Sequence, residues 1–209
     1  HIMKFYSYYG FNEFIICAWY KQQVIKEWFA NYFLHNSDIT FDFSQGEKIT
    51  VHNNVSEPWK VTVVDTGLYS ATGLRIKKVA PYIGEETFFL TYGDGVSDVN
   101  IKELLKYHKS HGRIATLTSI LPESRFGVLE MHENRIVSFR EKNQNDVGWI
   151  NGGFMVLEPD VLEYIDGDVM FEREPLEKLA SHEQLMAYKH RGFWQCMDTL
   201  RDKEKLEKM

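Results

Sequence analysis

The feature that most constrains the fold is an alternation, within the first 120 residues, of short apolar runs with longer segments of helical period. The apolar runs have strand length: FIICAW (14–19), VTVVDT (61–66), TFFLTY (87–92) and IATLTSI (114–120). Segments of helical period lie between them at 21–34, 72–83 and 100–111. Continuous apolar strands alternating with amphipathic helices are typical of a parallel sheet covered on both faces. We therefore predict an α/β fold with a mostly parallel, Rossmann-like sheet flanked by helices.

The pattern changes after residue 121. A hairpin is predicted at 127–139, another strand at FMVLE, and short helices near 160–165 and 172–181, followed by a charged helix from Thr199. This mixture is typical of an α+β arrangement. Because no repeat, low-complexity segment or Pro/Gly/Ser linker marks a boundary, we predict one domain over 1–209, with halves 1–121 and 122–209.

Two earlier segments carry apolar faces. The helical segment 21–34 predicts a broad aromatic face, suited to core packing or to a subunit contact. The stretch 38–58 alternates apolar and polar residues around Gln45 and Gly46, which predicts a hairpin. Together they favour a homo-oligomer.

Composition limits the class of partner. The 209 residues carry a formal net charge of −6, so a general field for nucleic acid or for an anionic membrane is not indicated. The two cysteines, Cys17 and Cys196, are too few for a disulfide framework. No stretch approaches the roughly 20 apolar residues of a membrane span, and the N-terminus lacks signal-peptide features. We expect a soluble, cytoplasmic protein with a small-molecule ligand.

The stretch FLTYGDGVSD ends a predicted buried strand in Gly93, Asp94 and Gly95. Ligands of open parallel sheets bind outside the carboxyl ends of the strands, and glycines let the backbone turn there beside a ligand. Alone, this pattern is more often a simple turn. Asp198, after the strand FWQCM, is similarly ambiguous, since its carboxylate could cap the N–H groups of Leu200 and Arg201 or face a ligand.

If Asp94 and Asp198 converge, they offer oxygen ligands for Mg²⁺, which commonly shares them with substrate phosphates. Phosphoryl and nucleotidyl transfer need such a charge because the attacking and leaving groups are both anionic. The sequence has no G-x-S-x-G, no H-E-x-x-H and no Cys-His pair of recognised spacing.

The start of the predicted helix 72–83 is a candidate anion site. A hydroxyl cap at Thr72 and backbone N–H groups near Gly73 suit a phosphate, and Arg75 in the first turn conflicts with the helix dipole unless an anion lies nearby. A solvated arginine on an exposed face remains the alternative.

Two further pairs suit sugar hydroxyls and a phosphate. Glu141 and Lys142 end a predicted hairpin strand, while Asn151 and Gly152, together with Gly153, open the predicted strand FMVLE. Each pair alone is also compatible with a turn or a surface pair. Asp166-Gly167-Asp168 is interpreted as a plain turn.

Apart from Glu141, Lys142 and the 166–168 stretch, these residues lie within segments that closely resemble the sugar-phosphate nucleotidyltransferase family, and within it the members that use CTP and α-D-glucose 1-phosphate. The segments follow in the same order and cover nearly the whole chain. The matching segments include EPWKVTVVDTG, ATGLRIKKV, TYGDGVSD, INGGFMVLEP and GFWQCMDTLRDKEKLE.

The resemblance implies a GT-A-like fold and a reaction in which glucose 1-phosphate attacks the α-phosphorus of CTP, giving CDP-glucose and pyrophosphate for nucleotide-sugar biosynthesis. It assigns Mg²⁺ to Asp94 and Asp198, with Arg75 as a further catalytic residue. The residues that it assigns to binding are, for the nucleotide, Thr72, Gly73, Arg75 and Gly93, and for the sugar phosphate, Glu141, Lys142, Asn151 and Gly152.

Three departures from the family pattern qualify this reading. Family members begin with a strand, a G-G-x-G-T-R-L loop and a P-K-P lysine, whereas this sequence opens at HIMKFYSYYG without methionine or a helix cap; we expect that a preceding segment is missing. Leu74 replaces the second glycine of T-G-G-R, and Asn143 replaces the proline of E-K-P. A uridylyl- or thymidylyltransferase, a non-catalytic nucleotide-sugar-binding homologue and a glycosyltransferase remain alternatives.

Overall fold

The computed structural model describes residues 1–44, 46, 48–121, 128–132, 135–140 and 148–209. The chain forms two compact units, and each is described by itself. Unit 1 comprises His1, Met3–Gly84 and Ile165–Pro175, and unit 2 comprises Ile2, Glu85–Tyr164 and Leu176–Met209.

Helices and strands alternate along most of the chain. The helices are α1 (Ile2–Tyr8), α2 (Gln22–Ala30), α3 (Tyr32–His35), α4 (Thr72–Ile83), α5 (Ile101–His111), α6 (Glu174–Ser181) and α7 (Leu200–Glu207), with a 3-10 helix at Pro159–Tyr164. The strands are β1 (Glu13–Ala18), β2 (Ser37–Asp42), β3 (Lys48–Asn54), β4 (Lys60–Asp65), β5 (Phe88–Thr91), β6 (Gly95–Ser97), β7 (Ala115–Ile120), β8 (Val128–His132), β9 (Arg135–Arg140), β10 (Ile150–Leu157), β11 (Leu185–His190) and β12 (Trp194–Cys196).

Unit 1 is built on a parallel pair of strands. Strand β1 pairs with β4 in a register that runs from Glu13 opposite Lys60 to Ala18 opposite Asp65. Helix α4 contacts β1, and α2 contacts β4. Strands β2 and β3 form a separate antiparallel hairpin. The predicted strands, the helix over 72–83 and the hairpin at 38–58 are therefore confirmed.

The segment 21–34 differs from its prediction in two ways. It forms two helices that meet at Asn31, whose side-chain amide and backbone N–H both donate to the Glu27 carbonyl, at 2.8 and 3.1 Å. Complete core packing of the aromatic face is also wrong, because Val24, Trp28 and Phe33 are each about half exposed.

Unit 2 contains a four-stranded sheet in the order β11-β7-β10-β5. Strand β11 runs parallel to β7, whereas β10 runs antiparallel to both β7 and β5. Helix α5 packs against β7, β10 and β11. The core of this unit consists of fully buried apolar side chains, among them Ile101, Leu104, Phe154, Met155 and Leu157.

The predicted α/β class is confirmed, and the sheet of unit 2 is mixed. Strands β5 and β7 run in the same direction, as the sequence pattern indicates, but β10 from the predicted second half inserts between them. Residues on both sides of position 121 thus belong to one sheet. The hairpin predicted at 127–139 forms as β8 and β9. Within the described residues, none of the helices has the length and apolar character needed to cross a membrane.

Candidate active site

A cavity of about 190 Å³ in unit 2 brings together four of the residues singled out from the sequence: Asp94, Asp198, Asn151 and Gly152. Aromatic residues and further glycines complete its wall. The full lining consists of Tyr92, Asp94, Gly95, Asn151, Gly152, Gly153, Phe154, Trp194, Cys196 and Asp198.

The two aspartates are carried into the cavity by paired strands. Asp94 lies between β5 and β6, and Asp198 follows β12. Strands β6 and β12 are antiparallel, with Gly95 opposite Cys196. Just beyond this pair, the Met197 N–H donates to the Asp94 carbonyl at 2.8 Å. A backbone ladder therefore fixes the separation of two residues that are about a hundred positions apart in the sequence.

The interpretation of Asp198 as a helix cap is wrong. Thr199 is the N-cap of α7, and its hydroxyl accepts a hydrogen bond from the Asp202 N–H at 3.2 Å. The Asp202 carboxylate in turn accepts from the Thr199 N–H at 3.1 Å, which completes a capping box. The exposed carboxylate of Asp198 instead accepts from the Cys196 thiol at 3.1 Å, so it is available to the cavity.

Glycines at the start of β10 shape the opposite wall. The register between β10 and β7 shifts between Asn151 and Met155, and Gly153 adopts a φ of +80°. A Cβ at Gly153 would lie 2.7 Å from Tyr92 Cδ2, and one at Gly152 would lie 3.1 Å from the Thr118 carbonyl oxygen. No side chain fits at either position without a shift of its neighbours.

The same turn places Asn151 at the cavity. Its side-chain Oδ1 accepts a hydrogen bond from the Gly153 N–H at 2.9 Å. The amide oxygen is thus used inside the turn, and the amide nitrogen is the group that can donate to a ligand hydroxyl.

The donor set of the cavity suits a hard cation. Asp94 and Asp198 are both exposed, and no basic residue is found among the described residues that line the cavity. In the part of the chain that the structure describes, no cluster of three or more His, Cys, Asp or Glu side chains could hold a metal ion. Two carboxylates are nevertheless enough for Mg²⁺, which binds through one or two of them plus substrate phosphates and water.

The second predicted cluster, Thr72 to Arg75, lies in unit 1 at the start of α4. The expected hydroxyl cap is wrong, because the N-cap position is Ala71 and no side chain caps it. The Thr72 hydroxyl instead donates to the Glu172 carboxylate at 2.6 Å and accepts from the Phe171 N–H at 2.8 Å.

Segment 168–172 also occupies backbone donors at this helix start. The Gly73 N–H donates to the Val169 carbonyl at 2.9 Å, and the Ala71 N–H donates to Asp168 Oδ1 at 2.7 Å. A Cβ at Gly73 would lie 2.6 Å from the Val169 carbonyl oxygen. The close approach of this segment thus accounts for the glycine, and the 166–168 stretch acts as the plain turn that was predicted.

Arg75 is half-buried and not the solvated arginine of the alternative interpretation. Its guanidinium donates to Thr66 Oγ1 at 2.6 Å and to the Gly67 carbonyl at 3.0 Å. The guanidinium carbon also lies 4.8 Å from the centroid of the Trp19 ring, a cation–π contact. The nucleotide-binding roles of Thr72, Gly73 and Arg75 stay predictions.

The remaining predicted residues divide into two groups. Gly93 is exposed beside Asp94, and nothing lies within 4 Å of a Cβ built there. Glu141 and Lys142 lie outside the described residues.

Comparison with known proteins decides the family. The family model described as nucleotidyl transferase matches residues 70–199, which include the Thr72–Arg75 segment and both cavity aspartates. The chain belongs to the nucleotidyl transferase family.

Curated relatives extend this match over the whole sequence. A glucose-1-phosphate cytidylyltransferase of Salmonella typhimurium is 53% identical over 99% of this chain and 81% of its own length. A probable glucose-1-phosphate cytidylyltransferase of Bacillus subtilis is 44% identical over 100% of this chain and 82% of its own length. The resemblance inferred from the sequence motifs is thus confirmed.

Solved structures support the fold. HddC from Yersinia pseudotuberculosis, complexed with GMP-PN, aligns over 97% of this chain and 80% of its own with a TM-score of 0.66 and 18% identity. An apo UDP-glucose pyrophosphorylase aligns over 99% of this chain and 85% of its own with a TM-score of 0.64 and 16% identity. At these identities the likeness concerns the nucleotidyl transferase fold alone.

Sequence reasoning missed part of the wall in this nucleotidyl transferase. Tyr92 and Trp194 line the cavity, although the sequence analysis gave neither residue a role, and Cys196 was considered only as a free cysteine. The available signal was their position on the strands that lead to Asp94 and Asp198. Side chains that alternate along a short strand would have placed Trp194 and Cys196 on one face of β12.

Proposed function

We propose that this chain transfers a cytidylyl group from CTP to α-D-glucose 1-phosphate, giving CDP-glucose and pyrophosphate. The observation that carries the proposal is the convergence of Asp94 and Asp198 on one cavity with Asn151 and Gly152. The choice of substrates rests on the relatives at 53% and 44% identity, both named for this reaction.

The donor groups of the cavity fit the charge changes of nucleotidyl transfer. Mg²⁺ held by Asp94 and Asp198 would neutralise charge on the triphosphate as pyrophosphate departs. The sugar phosphate is itself the nucleophile, so the chain needs to supply orientation and electrostatic stabilisation and no covalent attacking group. We assign the sugar phosphate to Asn151 and the Gly152 backbone, because both line the same cavity as the two aspartates.

Two further properties belong to the same proposal. We place the enzyme in the cytoplasm, consistent with two free cysteines, Cys17 and Cys196. We also propose a homo-oligomer, because the β2–β3 hairpin exposes Phe41, which is paired with Ile49, and Val51 on one apolar face. Light scattering of the purified full-length protein would detect the oligomer, and a monomeric mass would contradict this part.

The reaction is tested by pyrophosphate release from the purified full-length protein. Release is expected with CTP, glucose 1-phosphate and Mg²⁺ together, and the nucleotide product should have the mass of CDP-glucose. Omission of the sugar phosphate and addition of EDTA are the controls. Release from UTP or dTTP in preference to CTP would reassign the nucleotide, and sugar transfer without pyrophosphate release would indicate a glycosyltransferase. Binding of CDP-glucose without turnover of any nucleotide would indicate a non-catalytic homologue.

A further inference from the structure

Trp194 spans the two strands that form opposite walls of the cavity. It lies on β12, four residues before Asp198, and its indole Nε1–H donates to the Gly152 carbonyl on β10 at 2.8 Å. The same nitrogen lies 3.9 Å from the Cβ position of Gly95 and 3.5 Å from that of Gly152. Both distances are those of ordinary van der Waals contact, so the indole packs against the backbone at Gly95 and at Gly152.

The Gly152 carbonyl lies where the β-ladder is irregular. The pairing of β10 with β7 shifts register between Asn151 and Met155, and Gly152 and Gly153 are both buried. Consecutive glycines have the widest backbone freedom, and a buried carbonyl requires a donor. The Trp194 indole supplies that donor and so restricts the backbone conformation of the glycine pair in the cavity wall.

The opposite side of β12 is anchored independently. Gln195 is buried, and its side-chain amide nitrogen donates to the Asp202 carboxylate at 3.4 Å. The Lys205 ammonium donates to Gln195 Oε1 at 3.1 Å. Strand β12 is thus tied to α7 through Gln195 and to β10 through Trp194. These links hold both ends of the short loop that carries Asp198, because the loop runs from β12 to α7.

We propose that Trp194 is a positioning residue for the sugar phosphate. Through its hydrogen bond to Gly152, it holds the Asn151–Gly152 backbone at the distance from Asp198 that the bound sugar phosphate requires. This inference rests on the proposed function, because it assumes that Asn151 and Gly152 receive the sugar phosphate. Trp194 acts through the backbone and is not itself assigned a contact with the nucleotide.

The test replaces the indole donor and keeps an aromatic ring. In Trp194→Phe, the KM for glucose 1-phosphate is expected to rise about tenfold, equivalent to about 1.4 kcal/mol, as for a buried acceptor left without its donor. The KM for CTP is expected to stay within about twofold of the wild-type value. Calorimetry should likewise show about tenfold weaker binding of CDP-glucose and unchanged binding of CTP with Mg²⁺.

Trp59 provides a matched control. Its indole N–H donates to Ser7 Oγ at 2.7 Å, it is also partly buried, and it belongs to unit 1. Trp59→Phe therefore removes the same kind of hydrogen bond, and neither KM should change. If Trp194→Phe does not fold, Trp194→His is the second variant: it keeps a ring N–H donor, so it should bind glucose 1-phosphate with nearly the wild-type affinity. A loss of glucose 1-phosphate binding together with an equal loss of CTP binding in Trp194→His would contradict the inference.

Two outcomes would overturn the inference. If the KM values of Trp194→Phe for glucose 1-phosphate and for CTP change equally, Trp194 acts only through general stability. If the KM of Trp194→Phe for glucose 1-phosphate equals that of Trp59→Phe, the hydrogen bond has no role in positioning. A wild-type protein without pyrophosphate release would be a failure of the proposed function and is recognised before any variant is made.

Discussion

Two predicted sites differ in whether other residues of the chain occupy them: the phosphate site at Thr72–Arg75 and the Mg²⁺ site at Asp94 and Asp198. In unit 1, Thr72 and Gly73 are hydrogen-bonded to segment 168–172, and Arg75 is bonded to the loop after β4. In unit 2, the carboxylates of Asp94 and Asp198 are exposed to a cavity. The difference shows that the groups which would bind a phosphate at a helix N-terminus, a hydroxyl, backbone N–H groups and a cation, can equally form hydrogen bonds to carbonyls and carboxylates of the same chain.

The largest effect on activity is expected when the exposed carboxylates of the cavity are neutralised. Asp94→Asn and Asp198→Asn should each lower kcat/KM by about a thousandfold, because each removes a negative ligand of the Mg²⁺ that we propose for this cavity. The thermal unfolding midpoint should change little, since both side chains are exposed. Steady-state pyrophosphate release and a calorimetric melt measure the two effects.

Thr199 is the matched control for Asp198. Thr199→Ala removes the cap of α7 and should lower the free energy of unfolding by about 1 kcal/mol while turnover at 25 °C is retained. If Asp198→Asn behaved like Thr199→Ala, losing stability and keeping activity, the assignment of Asp198 to the cavity cation would be refuted.

The second prediction compares the two glycines that were both assigned to the nucleotide. In Gly73→Ala the new methyl meets the Val169 carbonyl oxygen at 2.6 Å, so overpacking of about 1–3 kcal/mol exceeds the gain in helix propensity of about 1 kcal/mol. Gly93→Ala has open space around it and should change stability by less than about 0.5 kcal/mol. Urea denaturation of both variants measures this difference. Equal stabilities would mean that segment 168–172 does not close the start of α4.

The smallest expected effect concerns a polar cluster within unit 2 whose side chains, like those at the start of α4 in unit 1, are hydrogen-bonded to other residues of the chain. His108 is buried, with Nδ1 2.8 Å from Thr116 Oγ1 and Nε2 3.0 Å from Glu158 Oε1. Burial lowers the pKa of His108 below its ordinary value, against the opposing effect of Glu158. The unfolded chain therefore takes up a proton first as the pH falls through about 6.5, and stability is lost in that range.

His108→Asn should accordingly flatten the decline of the unfolding midpoint between about pH 7.5 and 5.5. Part of the decline should remain, because burial also lowers the pKa of the neighbouring His111. A steeper decline in His108→Asn would contradict a neutral, structural His108.

Much of the fold was predictable because it depends on local pattern. Helix α4 spans the residues that the helical spacing of apolar side chains predicts. The two hairpins form where apolar and polar residues alternate on either side of turn residues. The antiparallel insertion of β10 was not predictable, since a buried apolar strand reads the same in either direction. The break at Asn31 was missed because the apolar residues of segment 21–34 keep a helical spacing on both sides of it.

By itself, the sequence determined the chemistry that is available: two aspartates that follow strands, paired glycines, and motifs that identify the family. Only the tertiary structure decided which of these groups stay open to a ligand. The sequence shows which groups can form hydrogen bonds. It does not show whether the partner of each group is a substrate or a distant residue of the same chain. Segment 168–172 closes over Thr72 and Gly73, whereas the ladder between β6 and β12 places Asp94 and Asp198 on one cavity and leaves them exposed.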